Sequence, residues 1–213
     1  YQRERSRKPF IFMNAAGLQR DLTTMVHEAG HAFHSMVCTS EPILAYRSAP
    51  MEFCEVASMA QELLTFPYLD EFYDETDANR ARREHLEGMA TILPWIATID
   101  AFQHWIYTNP THSRDERTAK WIELTDRFGA DVDWSGVEDA RSASWQRQLH
   151  LFGVPFYYIE YGIAQLGALQ VWCNAIQNEQ DAIGKYMAGL TLGGTRPLPA
   201  LFEAAGAKVA LGD

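Results

Sequence analysis

Through residues 18–38, the apolar side chains Leu22, Met25, Val26, Ala29, Phe33, Met36 and Val37 recur at helical spacing. The segment His27-Glu28-Ala29-Gly30-His31 lies inside that run. This stretch constrains the chain more than any other. Side chains four residues apart on a helix project from one face, one turn apart. The spacing therefore predicts that His27 and His31 can offer two ring nitrogens to one metal ion, zinc above all. Glu28 stands about 100° round the helix from His27, so its carboxylate reaches the open side of such a site rather than the ion. With seven histidines in 213 residues, chance would produce this HExxH pattern only ~0.02 times. Gly30 costs a helix interior roughly 1 kcal/mol relative to alanine, which implies close approach by a second element.

The rest of the chain also breaks into helical blocks. A second helix is expected over residues 51–66, ended by Pro67. Residues 77–107 read as a long helix that Pro94 should kink or split. Shorter helices are expected at 114–128 and 136–148, an apolar and aromatic one at 156–178, and two last ones at 181–190 and 198–205. Residues 9–16 read as extended and 39–50 as a loop, and Asp21 is the early-turn or capping residue of the first helix. Alternating apolar and polar runs of strand length are almost absent, so the expected fold class is all-α. The length suits a single domain, and no segment repeats. The six tryptophans read as helix-packing anchors.

Charge and cysteine content exclude some classes of function. Eighteen Lys and Arg against 28 Asp and Glu leave a net charge of −10, a poor balance for holding a phosphate backbone, so no nucleic-acid partner is expected. The one basic run, Arg3, Arg5, Arg7 and Lys8, is interrupted by Glu4 and reads as a solvated segment. No stretch approaches the roughly 20 apolar residues of a membrane span, and no cleavable signal pattern opens the sequence. Cys38, Cys54 and Cys173 are odd in number and widely spaced, which fits thiols buried as small apolar groups in a reducing compartment. The expectation is a cytoplasmic protein.

A catalytic zinc takes three protein ligands and keeps a fourth position open. Among the remaining histidines, His34 lies too far along the helix axis to complete the set. A carboxylate on the next helix is the better source. Glu52, Glu55, Ser58 and Glu62 fall on one stripe of an otherwise mostly apolar segment, and spacing alone leaves Glu52 and Glu55 equivalent. A carboxylate-bridged di-iron bundle would need a second Glu-x-x-His besides Glu28-His31, and the chain has none. Tyr161 is one turn from both Tyr157 and Tyr158, an arrangement that on an apolar helix more often packs a core than serves chemistry.

Three stretches together resemble the thimet oligopeptidase and oligoendopeptidase F family of zinc peptidases. The first is Pro9-Phe10-Ile11-Phe12-Met13-Asn14 leading to Val26-His27-Glu28-Ala29-Gly30-His31-Ala32-Phe33-His34. The second is Glu55-Val56-Ala57-Ser58-Met59, and the third is His150 followed by Pro155-Phe156-Tyr157-Tyr158-Ile159-Glu160-Tyr161. The closing Leu190-Thr191-Leu192-Gly193-Gly194-Thr195 is similar too. The resemblance implies one zinc ion held by His27, His31 and Glu55, with Glu28 as general base. It implies that Tyr161 and His150 donate to the oxyanion, with Tyr158 as second choice. It further implies an all-α fold whose deep channel admits short peptides and hydrolyses them with metal assistance. Members of that family are several times longer, and their N-terminal half forms the channel's opposite wall. The chain is therefore expected to be a catalytic half, with self-association or a partner chain supplying the other wall. The rival expectation is an incomplete half-protein that binds zinc and a peptide or partner chain without turnover.

Overall fold

The computed structural model describes residues 2–3, by backbone alone, and 8–209. Arg5 and Arg7 of the basic run lie outside the described residues. The chain is all-α, as its spacing predicts. The only strands among the described residues are β1 (Gln2–Arg3) and β2 (Pro9–Phe10), paired antiparallel with Gln2 opposite Phe10. The first helix, α1 (Gln19–Val37), opens on Asp21, whose carboxylate accepts 2.8 Å hydrogen bonds from the N–H groups of Ala16 and Leu18. A 3-10 turn at Leu44–Arg47 precedes α2 (Met51–Leu64), and another at Phe66–Glu71 precedes α3 (Glu75–Thr108). Next comes α4 (Arg114–Phe128), which begins on a capping box. Ser113 Oγ accepts from the Glu116 N–H, and the Glu116 carboxylate accepts from the Ser113 N–H. The remaining helices are α5 (Glu138–Ala143), α6 (His150–Gly153), α7 (Ile159–Gln177), α8 (Glu179–Thr191) and α9 (Leu198–Ala204).

Three helices differ from expectation. Pro94 does not split α3, which stays helical on both sides of it. The segment 136–148 is α5 followed by a 3-10 turn, Ser144–Arg147, rather than one helix. The apolar helix starts at Ile159 because Phe156 adopts a left-handed φ of 61° and gives its N–H to Gln103 Oε1 at 2.9 Å.

The helices form two compact units, one from residues up to Glu84 and from Ile163 onward, the other His85–Gly162. In the first, α2 carries the centre of the core. Phe53, Val56, Ala57, Ala60 and Leu63 are fully buried, together with Ala164, Ala168 and Val171 of α7 and Leu201 of α9. Tyr186 donates its hydroxyl to the Ala57 carbonyl at 2.6 Å, joining α8 to α2. On α1 the buried residues are Gly30, Ala32, His34 and Ser35, whereas Met25, Phe33 and Met36 are exposed. The helical period was thus legible in the apolar residues, yet much of that stripe does not face the core. The second unit is built on Ile99, Phe102, Trp121 and Leu124, with Trp95 and Trp145 packed against them.

Of the cysteines, Cys38 is buried and donates to the Leu190 carbonyl, but Cys173 is exposed, contrary to expectation. No described helix is long and apolar enough to cross a membrane.

Candidate metal centre

The site begins at a glycine. A β-carbon on Gly30 would lie 2.7 Å from Ser58 Cα and 2.8 Å from the Ala57 carbonyl oxygen, so the backbones of α1 and α2 meet there. No other residue tolerates so close an approach. The crossing brings His27 and His31 of α1 against Glu55, one turn before Ser58 on α2. Glu55 Oε2 lies 3.5 Å from His27 Nε2 and 3.8 Å from His31 Nε2. One ligand atom from each of the three residues lies within 4.8 Å of the others. Tetrahedral zinc with bonds of about 2.0–2.2 Å holds its ligand atoms ~3.4 Å apart. Two imidazole nitrogens and a carboxylate at these separations fit that ion.

A second carboxylate fixes the orientation of one ring. Glu62, two turns after Glu55 on α2, accepts from His27 Nδ1 at 2.5 Å. With Nδ1 held by Glu62, Nε2 is directed at the Glu55 side. Ser58 plays a similar part for Glu55, donating its hydroxyl to Oε2 at 3.2 Å. All four main side chains are largely buried, with His31, Glu55 and Glu62 between 10% and 13% exposed.

Burial disfavours the charged form of both rings, but they respond oppositely. At His27 it is outweighed by the ring's hydrogen bonds to the Glu55 and Glu62 carboxylates, and the pKa rises to about 9. At His31 burial prevails, helped by the neighbouring His27 charge against the pull of Glu55, and the pKa falls. Burial also opposes ionisation of Glu55, yet the His27 hydrogen bond and the His31 charge lower its pKa. The arrangement is a pocket of negative charge that welcomes a cation.

The structure thus separates two residues that spacing left equivalent, because Glu55 meets the histidines and Glu52 does not join the group. Half-buried Glu28 follows His27 directly on α1. His34 is buried edge-on to Phe53 and stands apart from the group. Glu62 was not singled out as a partner of His27 from sequence. Its signal was the seven-residue spacing from Glu55, which returns a side chain to the same helical face.

In the second unit, His150, Tyr157, Tyr158 and Tyr161 form an aromatic cluster. The His150 ring centroid is 4.9 Å from that of Tyr158 and 5.9 Å from that of Tyr161, which is 5.5 Å from Tyr158. Gln148 Nε2 sits 2.6 Å from His150 Nδ1 and holds the imidazole in place. Burial raises the Tyr158 phenol above its ordinary pKa.

Known proteins are similar to this chain in sequence and in fold. The chain is 26% identical over 205 residues to an oligoendopeptidase F homolog of Borreliella burgdorferi, covering 91% of this chain and 34% of that protein. It is 23% identical to the oligopeptidase PepF of Bacillus subtilis, over 92% of this chain and 30% of that one. The solved structure of PZ peptidase A with inhibitor 2 superposes with a TM-score of 0.87 at 34% identity, over 94% of this chain and 36% of that one. The chain thus spans about a third of the length of the curated relatives it matches. The model of Peptidase family M3 matches residues 2–211, nearly the whole length. On that match, the chain belongs to peptidase family M3.

Proposed function

We propose that this chain carries the catalytic centre of a zinc-dependent endopeptidase acting on short peptides. The observation that carries the reading is the convergence of His27, His31 and Glu55 at ligand spacing, beside Glu28. The names of the relatives, an oligoendopeptidase and an oligopeptidase, support peptides as substrates.

His27, His31 and Glu55 would hold one zinc ion, which when bound supplies Lewis acidity toward the scissile carbonyl and the attacking water. Glu28 takes the proton of that water and returns it to the leaving amine. Glu62 and Ser58 act through the ligands, holding His27 by Nδ1 so that Nε2 faces the metal position, and keeping Glu55 turned toward the histidines. On the family resemblance, Tyr161 and His150 are the donors to the oxyanion, with Tyr158 as second choice. The acidic balance of the chain argues against nucleic acid as a partner. Its three free thiols fit a reducing, cytoplasmic setting. Self-association or a partner chain would complete the peptide-binding surface.

The test is metal analysis of the purified chain, then a quenched peptide library assayed with and without a chelator. One zinc per chain is expected, with cleavage lost on chelation. Glu28→Gln should keep the metal and lose about 10²–10⁴ in kcat. Loss of zinc from that variant would reassign Glu28 as a ligand. Tyr161→Phe should also keep the metal, and slow turnover by roughly 10²–10³. Zinc and peptide bound without turnover in the native chain would instead favour a catalytically incomplete half-protein.

A further inference from the structure

The second unit contains a cavity of about 410 Å³ that the peptidase reading does not use. Its size falls within the range of small-molecule sites. It forms beside Pro94, which has no N–H to offer the carbonyl of Ala90, another lining residue. Half-buried Trp95, Phe128 and Trp134 supply aromatic walls.

The charged residues that line it are two arginines, Arg141 and Arg147, and no acid. Arg141 is committed, since its guanidinium pairs with Asp126 and donates to Thr125 Oγ1 at 3.0 Å. Even so, its Nε is buried and has no acceptor among the described residues. Arg147 is exposed and differently placed. Its guanidinium carbon lies over the Trp95 ring, 5.0 Å from the ring centre, and the indole is pinned by a 3.2 Å hydrogen bond from Nε1 to Gln148 Oε1. Among the described residues no carboxylate pairs with Arg147. A guanidinium held over an aromatic ring and paired with no carboxylate keeps its forked donors available for a bidentate acceptor.

We propose that this cavity binds an apolar monocarboxylate, with an aromatic or branched hydrocarbon group among Trp95, Phe128 and Trp134 and the carboxylate on Arg147. The proposal is independent of the zinc centre. Two sources share that chemistry: a free organic acid and the carboxy-terminal residue of a peptide.

The experiment is isothermal titration of the purified full chain, with tryptophan fluorescence as a second readout because Trp95 and Trp134 line the cavity. The probes are 3-phenylpropionate and 3-phenylpropionamide in one arm, N-acetylphenylalanine and its amide in the other. Each acid should bind at least about tenfold more tightly than its amide. Arg147→Gln should abolish that preference, and Arg147→Lys should restore only part of it, because an ammonium lacks the guanidinium's fork of donors. Trp134→Ala should weaken acid and amide alike. Tighter binding of N-acetylphenylalanine than of 3-phenylpropionate identifies a peptide end, and the reverse order a free acid. Either order supports the shared chemistry. Equal binding of acid and amide, no saturation by about 10 mM, or a preference that survives Arg147→Gln would each overturn the proposal. Arg147 is exposed, so its variants should fold, and circular dichroism melts of each verify that the readout reports binding.

Discussion

The two units of this protein join their helices by opposite means. In the first, α1 and α2 cross on Gly30, Ala57 and Ser58, and the backbones come close enough to touch. Short-range polar contacts follow, with imidazoles and carboxylates meeting at 2.5–3.8 Å. In the second, bulky rings fill the space between the helices. Trp121 is fully buried, its ring centre 5.0 Å from that of Phe102 and 5.7 Å from that of Trp95, and its indole N–H donates to Ser144 Oγ at 2.9 Å. The difference teaches what a polar centre needs from its scaffold. A core of aromatics gains stability from buried area. Buried carboxylates and imidazoles cost stability unless they are paired, so their supports must place them within hydrogen-bond reach of one another. Small residues at a helix crossing do this.

The contrast can be broken most severely at a ligand. Glu55→Ala removes one of three donors and should lower zinc affinity by far more than the ~10–100-fold typical of supporting residues. Glu52→Ala, on the same helix, should leave metal content unchanged. Equal metal content in both variants would remove Glu55 from the ligand set. Next in size is Glu62→Gln, which keeps the shape but loosens the hold on His27 Nδ1. Zinc affinity should fall by about 10–100-fold, read by competition with a chromogenic chelator, and an unchanged value would leave Glu62 without a positioning role.

The smallest effects sharpen the contrast because a single substitution should act with opposite sign in the two units. Gly30→Ala drives a methyl into the α2 backbone and should destabilise the protein by about 1–3 kcal/mol, with a drop in zinc occupancy. Gly88→Ala, on exposed α3 surface with nothing within 4 Å of its added carbon, should stabilise by about 0.5–1 kcal/mol and leave zinc untouched. Denaturant melts of the two variants measure both. Equal and opposite outcomes are not required, but a stabilising Gly30→Ala would mean that the close crossing is not needed.

Much of this molecule could be read locally. The start of α4 follows from Ser113 and Glu116, whose capping box depends only on residues three apart. The start of α1 follows from Asp21 in the same way. The 27/31 spacing placed two imidazoles on one face because a helix has a fixed pitch. Where a distant residue intervenes, local reading fails. Phe156 leaves the helix because Gln103, 53 positions away, takes its N–H. On α1, Met25, Phe33 and Met36 advertise an apolar face, yet the buried residues are Gly30, Ala32, His34 and Ser35. The helix turns its small and polar residues toward α2, where the histidines find their carboxylates.

By itself, then, the sequence determined the helical class and put His27, Glu28 and His31 within one turn and a neighbour of each other. Both depend on interactions within a few residues. Helical spacing left Glu52 and Glu55 equivalent, and only the tertiary structure shows Glu55 meeting the histidines and Glu62 holding His27 from behind. Those choices hang on the rotation of α2 about its own axis. That rotation is set where Ser58 and Ala57 settle against Gly30, a contact between residues some thirty positions apart that no local spacing encodes.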